Sequence, residues 1–171
     1  LHAHGFVLVL WCLMLIIQPY LIRAKKKALH KQIGKLSYLL VPLIVITTID
    51  LFKYRLNQQT GDPDYFAVAL VLNALVAFII LYGLAIYHRK KSVIHARYMI
   101  CTAFPFFTPI TDRIIHIYFP SVLPHLYAIN GVPIAPVVGF AMADLILLGL
   151  SIWDWNSHKR WNVFPFALLI L

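Results

Sequence analysis

Residues 3–22 read AHGFVLVLWCLMLIIQPYLI and are followed at 23–27 by RAKKK. The apolar run has the roughly 20 residues that an α-helix needs to cross about 30 Å of hydrocarbon. A secretory leader carries its basic residues before the apolar stretch and small residues after it. Here the order is reversed, which predicts a retained membrane helix. Four more stretches read the same way, at 36–52, 65–87, 97–119 and 137–153, and 162–171 is apolar to the last residue. The second is short by a strict count, but Lys35 and Lys53 can snorkel from its ends. The expected fold is all-α, a polytopic transmembrane helical bundle forming a single domain over 1–171, with five complete spans and a partial sixth. The chain begins without Met, so further sequence is expected beyond one or both ends.

Composition agrees. Of 171 residues, 61% are apolar and 12% charged, against roughly 45–50% and about 25% in a soluble domain. One small core cannot hide that excess, which excludes a soluble globular protein. Two cysteines exclude a disulfide scaffold and a four-thiolate zinc site.

The net charge of +9, from 15 Lys+Arg against six Asp and no Glu, would suggest nucleic acid in a soluble chain. Its distribution says otherwise. Arg23, Lys25, Lys26, Lys27, Lys31 and Lys35 lie in one loop, Arg89, Lys90, Lys91 and Arg97 in a second, Lys159 and Arg160 in a third. Those loops alternate with ones carrying only Lys53 and Arg55, beside Asp62 and Asp64. Lys and Arg stay on the cytoplasmic side, which predicts the N-terminus outside. Aromatic residues mark both boundaries: Tyr20, Tyr38, Tyr87, Tyr98, Trp153 and Trp161 inside, Tyr54, Tyr65, Tyr118 and Tyr127 outside. The charge therefore reports topology and contact with anionic lipids at the cytoplasmic face, and no nucleic-acid partner is needed.

An internal repeat is visible. KKKALH ends at His30 and RKKSVIH at His95, each a basic cluster, a short apolar step and a histidine, 65 residues apart. NSHKRW at 156–161 is a degenerate third copy at best. The pattern predicts stacked helical hairpins. The outer loop 120–136, with Pro120, Pro124, Gly131, Pro133 and Pro136, is expected to lie against the outer leaflet or fold over the helix ends.

Ionisable groups within spans are costly and mark candidate sites. Thr102, Pro105, Pro109, Asp112 and His116 recur at helical spacing and predict one polar, kinkable stripe on the fourth span, with Arg113 adjacent. Asp144 and Asn73 fall at similar depth in the outer half, and Thr47, Thr48 and Asp50 end the second span. Together they predict an outward-facing polar pocket. His4, Trp11 and Gln18, seven apart, lie close to one face of the first helix and would complete it through His4. Three uses are open: a structural ion pair of the Asp112–Arg113 neighbourhood with Asp144, a haem or transition-metal site, or a substrate, proton or quinone pocket. As metal ligands the candidates are His4, His116, Asp112 and Asp144.

At the inner face, His30 and His95 are either interfacial residues that contact lipid phosphate or cap helices, or axial haem ligands, with Arg97 nearby. His95 and His116 share a span but lie roughly 31 Å apart at 1.5 Å per residue, which argues against a di-haem wire. HExxH, GxSxG, a phosphate loop and CxxC are all absent from the sequence, so no catalytic residue is assigned. Cys12 and Cys101 differ in expected depth and read as packing residues.

His4-Gly5, Trp11, Gln18, His30 with Gly34, His95-Ala96-Arg97-Tyr98-Met99 and Arg113 resemble a family of small bacterial inner-membrane proteins with paired HG…W…Q…HxxxG and HxRxM signatures, mostly without an assigned function. The similarity covers roughly residues 2–115, and Lys31 stands where the family would have Arg. The resemblance implies a compact helical bundle in a bacterial inner membrane and directs attention to His4, His30, His95, Arg97 and Arg113. It supplies no reaction. Three functions are compatible with these residues: binding of haem or a metal in a redox or respiratory-assembly role, a non-catalytic accessory subunit of a larger membrane complex, or a small transporter using Asp112, Arg113 and Asp144.

Overall fold

The structure, a computed structural model, describes residues 2–58, 65–126, 128–129, 132–133 and 135–171. Asp62, Asp64, Tyr127 and Gly131 lie outside the described residues, as do the side chains of Arg55, Tyr65 and Pro133. The described residues are helical, apart from turns and one antiparallel pair of two-residue strands, β1 (Ala128–Ile129) and β2 (Val132–Pro133). Four segments are long and apolar enough to cross a membrane: Ala3–Arg23, Lys27–Tyr54, Val68–Tyr87 and Ala135–His158. The chain divides into two compact units, Leu1–Leu75 and Val76–Leu171.

The first unit is built on α1 (His2–Arg23), α2 (Lys27–Gly34), α3 (Ser37–Gln58) and the first part of α4 (Tyr65–Tyr87). Along α1 the buried positions are Val7, Trp11, Met14, Gln18 and Leu21, alternately four and three apart. That spacing keeps one narrow seam turned toward a partner helix. On α3 the matching seam is Ser37, Val41 and Ile44. Contacts of His4 with Thr47 at one end and Gln18 with Gly34 at the other make the pair antiparallel. Pro19 and Pro42 sit inside unbroken helices. The turn after α1 closes through Lys25 at φ 59°, with Lys25 N–H on the Ile22 carbonyl (3.0 Å) and Lys26 N–H on that of Leu21 (2.9 Å). This left-handed C-terminal cap normally favours glycine.

The second unit begins within α4 and continues through α5 (Ser92–Cys101), α6 (Phe107–Tyr118), α7 (Ala135–His158) and α8 (Phe164–Ile170). The segment 97–119, expected as one span, is two helices joined by a tight 3₁₀ turn at Phe104–Phe106. Pro105 has no N–H to give and its ring disfavours helical geometry in the residue before it, so the α-ladder stops there. A 3₁₀ turn takes three residues instead of 3.6 and so rotates α6 about its axis relative to α5. Thr102, Pro105 and Thr108 are consequently buried while Pro109 and His116 are exposed, and the single polar stripe expected along 102–116 does not form.

The buried face of α7 is Ala135, Gly139, Ala143, Leu147, Ser151 and Asp154. Its small residues admit another backbone, the usual device for close helix crossing in membranes. A β-carbon on Gly139 would lie 2.6 Å from Thr108 Cα, so α6 and α7 touch backbone to backbone. Beside that crossing, Leu81, Ala85, Tyr98, Cys101, Phe104, Ala143 and Leu147 form one apolar core with Val163, Phe164 and Ala167. Helix α8, read from sequence as a partial sixth span, has seven residues and buries Phe164 and Ala167 in this core.

Candidate functional site

Polar residues gather at three kinds of place, and the fold explains each. At the end of the first unit that holds His4, the antiparallel register brings the start of α1 beside the later turns of α3. A cavity of about 260 Å³ opens there, lined by Ala3, His4, Thr47, Asp50, Leu51 and Tyr54. Thr47 Oγ1 donates its one proton to the Leu43 carbonyl (2.7 Å), so toward His4 it is an acceptor. His4 Nδ1, 3.2 Å away, must therefore carry the proton of that bond. Thr48 turns its hydroxyl to the Ile44 carbonyl (2.7 Å). Asp50 is exposed and makes no hydrogen bond or ion pair among the described residues. Asn73, expected in the same pocket, is exposed on α4 and is not among the lining residues.

The second kind of place is the repeated hairpin turn. In both copies the histidine is the fourth residue of the helix that follows a basic turn, and in both it reaches back to the helix before. Gln18, 8% exposed, orients its amide so that the oxygen accepts from Gly34 N–H (3.0 Å) while the nitrogen donates to the His30 carbonyl (3.2 Å) and to His30 Nδ1. His95 Nδ1 instead meets the Ala85 carbonyl at 2.8 Å. A carbonyl only accepts, so His95 carries its proton on Nδ1, whereas His30, accepting at Nδ1, carries it on Nε2. The two repeats thus hold opposite tautomers. Gln18, His30 and Gly34 meet at the first turn and Trp11 is fully buried on the same seam as Gln18, while His4 lies at the far end of α1 against Thr47.

The third is an ion pair between α5 and the last turns of α7 in the second unit. Arg97 grips Asp154 with both terminal nitrogens, Nη2 to Oδ1 at 2.6 Å and Nη1 to Oδ2. The side chains are 12% and 3% exposed. The guanidinium also lies 5.3 Å from the centre of the Phe164 ring, and His158 Nδ1 sits 3.3 Å from Asp154 Oδ1. Arg97 was legible as a candidate; Asp154 and His158 were not. One signal was present: Asp154 is the single acidic residue bordering the three basic loops, set between Trp153 and Trp155. A lone carboxylate in such surroundings needs a cation.

The remaining candidates do not converge. Asp112 is matched by His116 one turn on, with His116 Nδ1 2.9 Å from the Asp112 carbonyl and 3.3 Å from its carboxylate. Arg113 is exposed. Since Thr108 opposes Gly139 in an antiparallel crossing, Asp112 lies one turn to one side of it and Asp144 about five residues to the other, roughly 13 Å apart along the axes. Asp144 is half-buried and, like Arg113, has no hydrogen bond or ion pair among the described residues. Nor, among the described residues, do three His, Cys, Asp or Glu side chains meet in a metal-binding group. Cys12 and Cys101 are free thiols, exposed and buried respectively. No family model matches the chain, and no curated protein or solved structure matches it either.

Proposed function

We propose that the chain is a multi-pass protein of a bacterial inner membrane, N-terminus outside, crossing five times with a partial sixth segment, and that it serves as a non-catalytic accessory subunit of a larger membrane complex. The four long apolar helices and the one-sided distribution of Lys and Arg support the topology, with the broken segment 97–119 as the fourth crossing. The basic turns then contact anionic lipid headgroups. The observation that carries the subunit reading is the contrast between satisfied and open charges. Gln18, His30, His95, Arg97 and Asp154 are spent on contacts inside their own unit. Asp144 and Arg113 are left open on helices that lie in the bilayer under this topology. Each such charge costs about 2.5–3.5 kcal/mol at a helix centre unless it is paired. A neighbouring membrane subunit would supply the pairing groups.

Native electrophoresis of the tagged chain in mild detergent tests this. The wild-type chain should migrate well above the mass of one copy, and Asp144→Leu with Arg113→Leu should collapse it to the single-chain position while leaving it membrane-inserted. Migration of the wild-type chain as one copy, unchanged in the double variant, would sink the reading.

A second reading, haem or metal binding, is favoured by one detail. His95 and His116 each direct Nδ1 to a backbone carbonyl, the support that fixes a metal-ligating imidazole with Nε2 as the donor. His30 has the opposite tautomer. Elemental analysis of purified protein, with an absorption spectrum, decides: stoichiometric iron lost in His95→Ala supports it, and metal-free folded protein removes it.

A further inference from the structure

We propose that the cavity between α1 and α3 binds a small organic cation, a primary ammonium group on a short apolar body. Its lining sorts by chemistry. Asp50 supplies a negative charge that no described residue neutralises, and Thr47, its proton committed to Leu43, offers only an acceptor. Among the described residues neither Lys nor Arg lines the cavity, so an anion would meet the Asp50 carboxylate with no described cation beside it. A protein-held metal ion uses three or more ligands; among the described lining residues His4 and Asp50 are the two metal-competent side chains, with His4 Nδ1 already on Thr47.

The other walls, Ala3, Leu51 and the Tyr54 ring, are apolar. They suit an alkyl body, and an aromatic face attracts a cation. At about 260 Å³ the cavity is several times the roughly 30 Å³ share of one water molecule. A proton or lone water would leave most of it unused. A C₃–C₅ alkylammonium ion has the charge, the three donors and the apolar tail that this lining complements.

The test is a ligand-observed NMR titration of the full chain in detergent with n-butylammonium, using butyrate and n-butanol as controls for charge and for partition into micelles. Saturable binding of butylammonium is expected, with no saturable response from butyrate. Asp50→Asn should weaken binding at least about tenfold, the scale of one charge-assisted hydrogen bond. Ala3→Phe, which fills the cavity, should abolish it, and Asp144→Asn, outside the lining, should leave it unchanged. Because Asp50 is exposed, its substitution does not threaten folding. Equal titration of wild type and Asp50→Asn, comparable saturation by butyrate, or butylammonium that only partitions without saturating would each overturn the proposal.

Discussion

Replacing Asp154 with asparagine leaves the largely buried Arg97 guanidinium beside the Phe164 ring with its charge uncompensated. Loss of one partner of a buried ion pair typically costs 3–5 kcal/mol, because the survivor has been taken out of water for nothing. Two features here place the loss at the lower end, about 3 kcal/mol: asparagine still accepts one hydrogen bond, and the aromatic face retains some attraction for the cation. Arg97→Met should cost about the same from the other side, since Asp154 is 3% exposed and would keep only His158. The double variant Arg97→Met/Asp154→Leu removes both charges and restores apolar contact beside Phe164. It should lie within about 1 kcal/mol of the wild type. Unfolding in mixed micelles, followed by tryptophan fluorescence, measures all four corners of the cycle; Trp153, Trp155 and Trp161 report from near the pair. Single losses below about 1 kcal/mol, or losses that simply add in the double variant, would refute the claim that this pair is desolvated and bidentate.

Two further substitutions test the packing. Gly139→Ala should destabilise by about 1–3 kcal/mol in the same assay, because the new methyl meets Thr108 Cα, Thr108 N and Phe107 O, which are backbone and cannot rotate away. Gly149→Ala on the same helix, with nothing within 4 Å, should instead be neutral or stabilise by up to about 1 kcal/mol. In the first hairpin, Gln18→Leu should cost about 1–3 kcal/mol by removing its hydrogen bonds to His30 and Gly34, and His30→Ala in that background should add less than it does alone.

Run length, charge sidedness and helical periodicity are properties of a chain read in one dimension, and those were legible. The stretch 65–87 is α4 to the residue, 3–22 and 137–153 fall within α1 and α7, and of the His4–Trp11–Gln18 face read as completing a polar pocket, Trp11 and Gln18 are buried on the seam along which α1 packs. The KKKALH and RKKSVIH repeat proved to mark two equivalent hairpin turns. Proline was not decisive in the same way. Pro19 and Pro42 are carried inside continuous helices, yet at Pro105 the chain tightens and re-phases, with Thr102, Phe104 and Thr108 buried there.

The sequence by itself determined that this chain is apolar enough for a membrane, where its long helices lie and which loops carry the positive charge, because bilayer thickness and charge asymmetry act on each segment independently. Only the tertiary structure decided which polar groups meet. Arg97 and Asp154 are 57 residues apart in the chain, and nothing local to either distinguishes the partner that satisfies it. The same holds for the opposite tautomers of His30 and His95. Repeated sequence placed both histidines alike, but whether each donates or accepts at Nδ1 depends on the group across the turn, a glutamine amide in one unit and a bare carbonyl in the other.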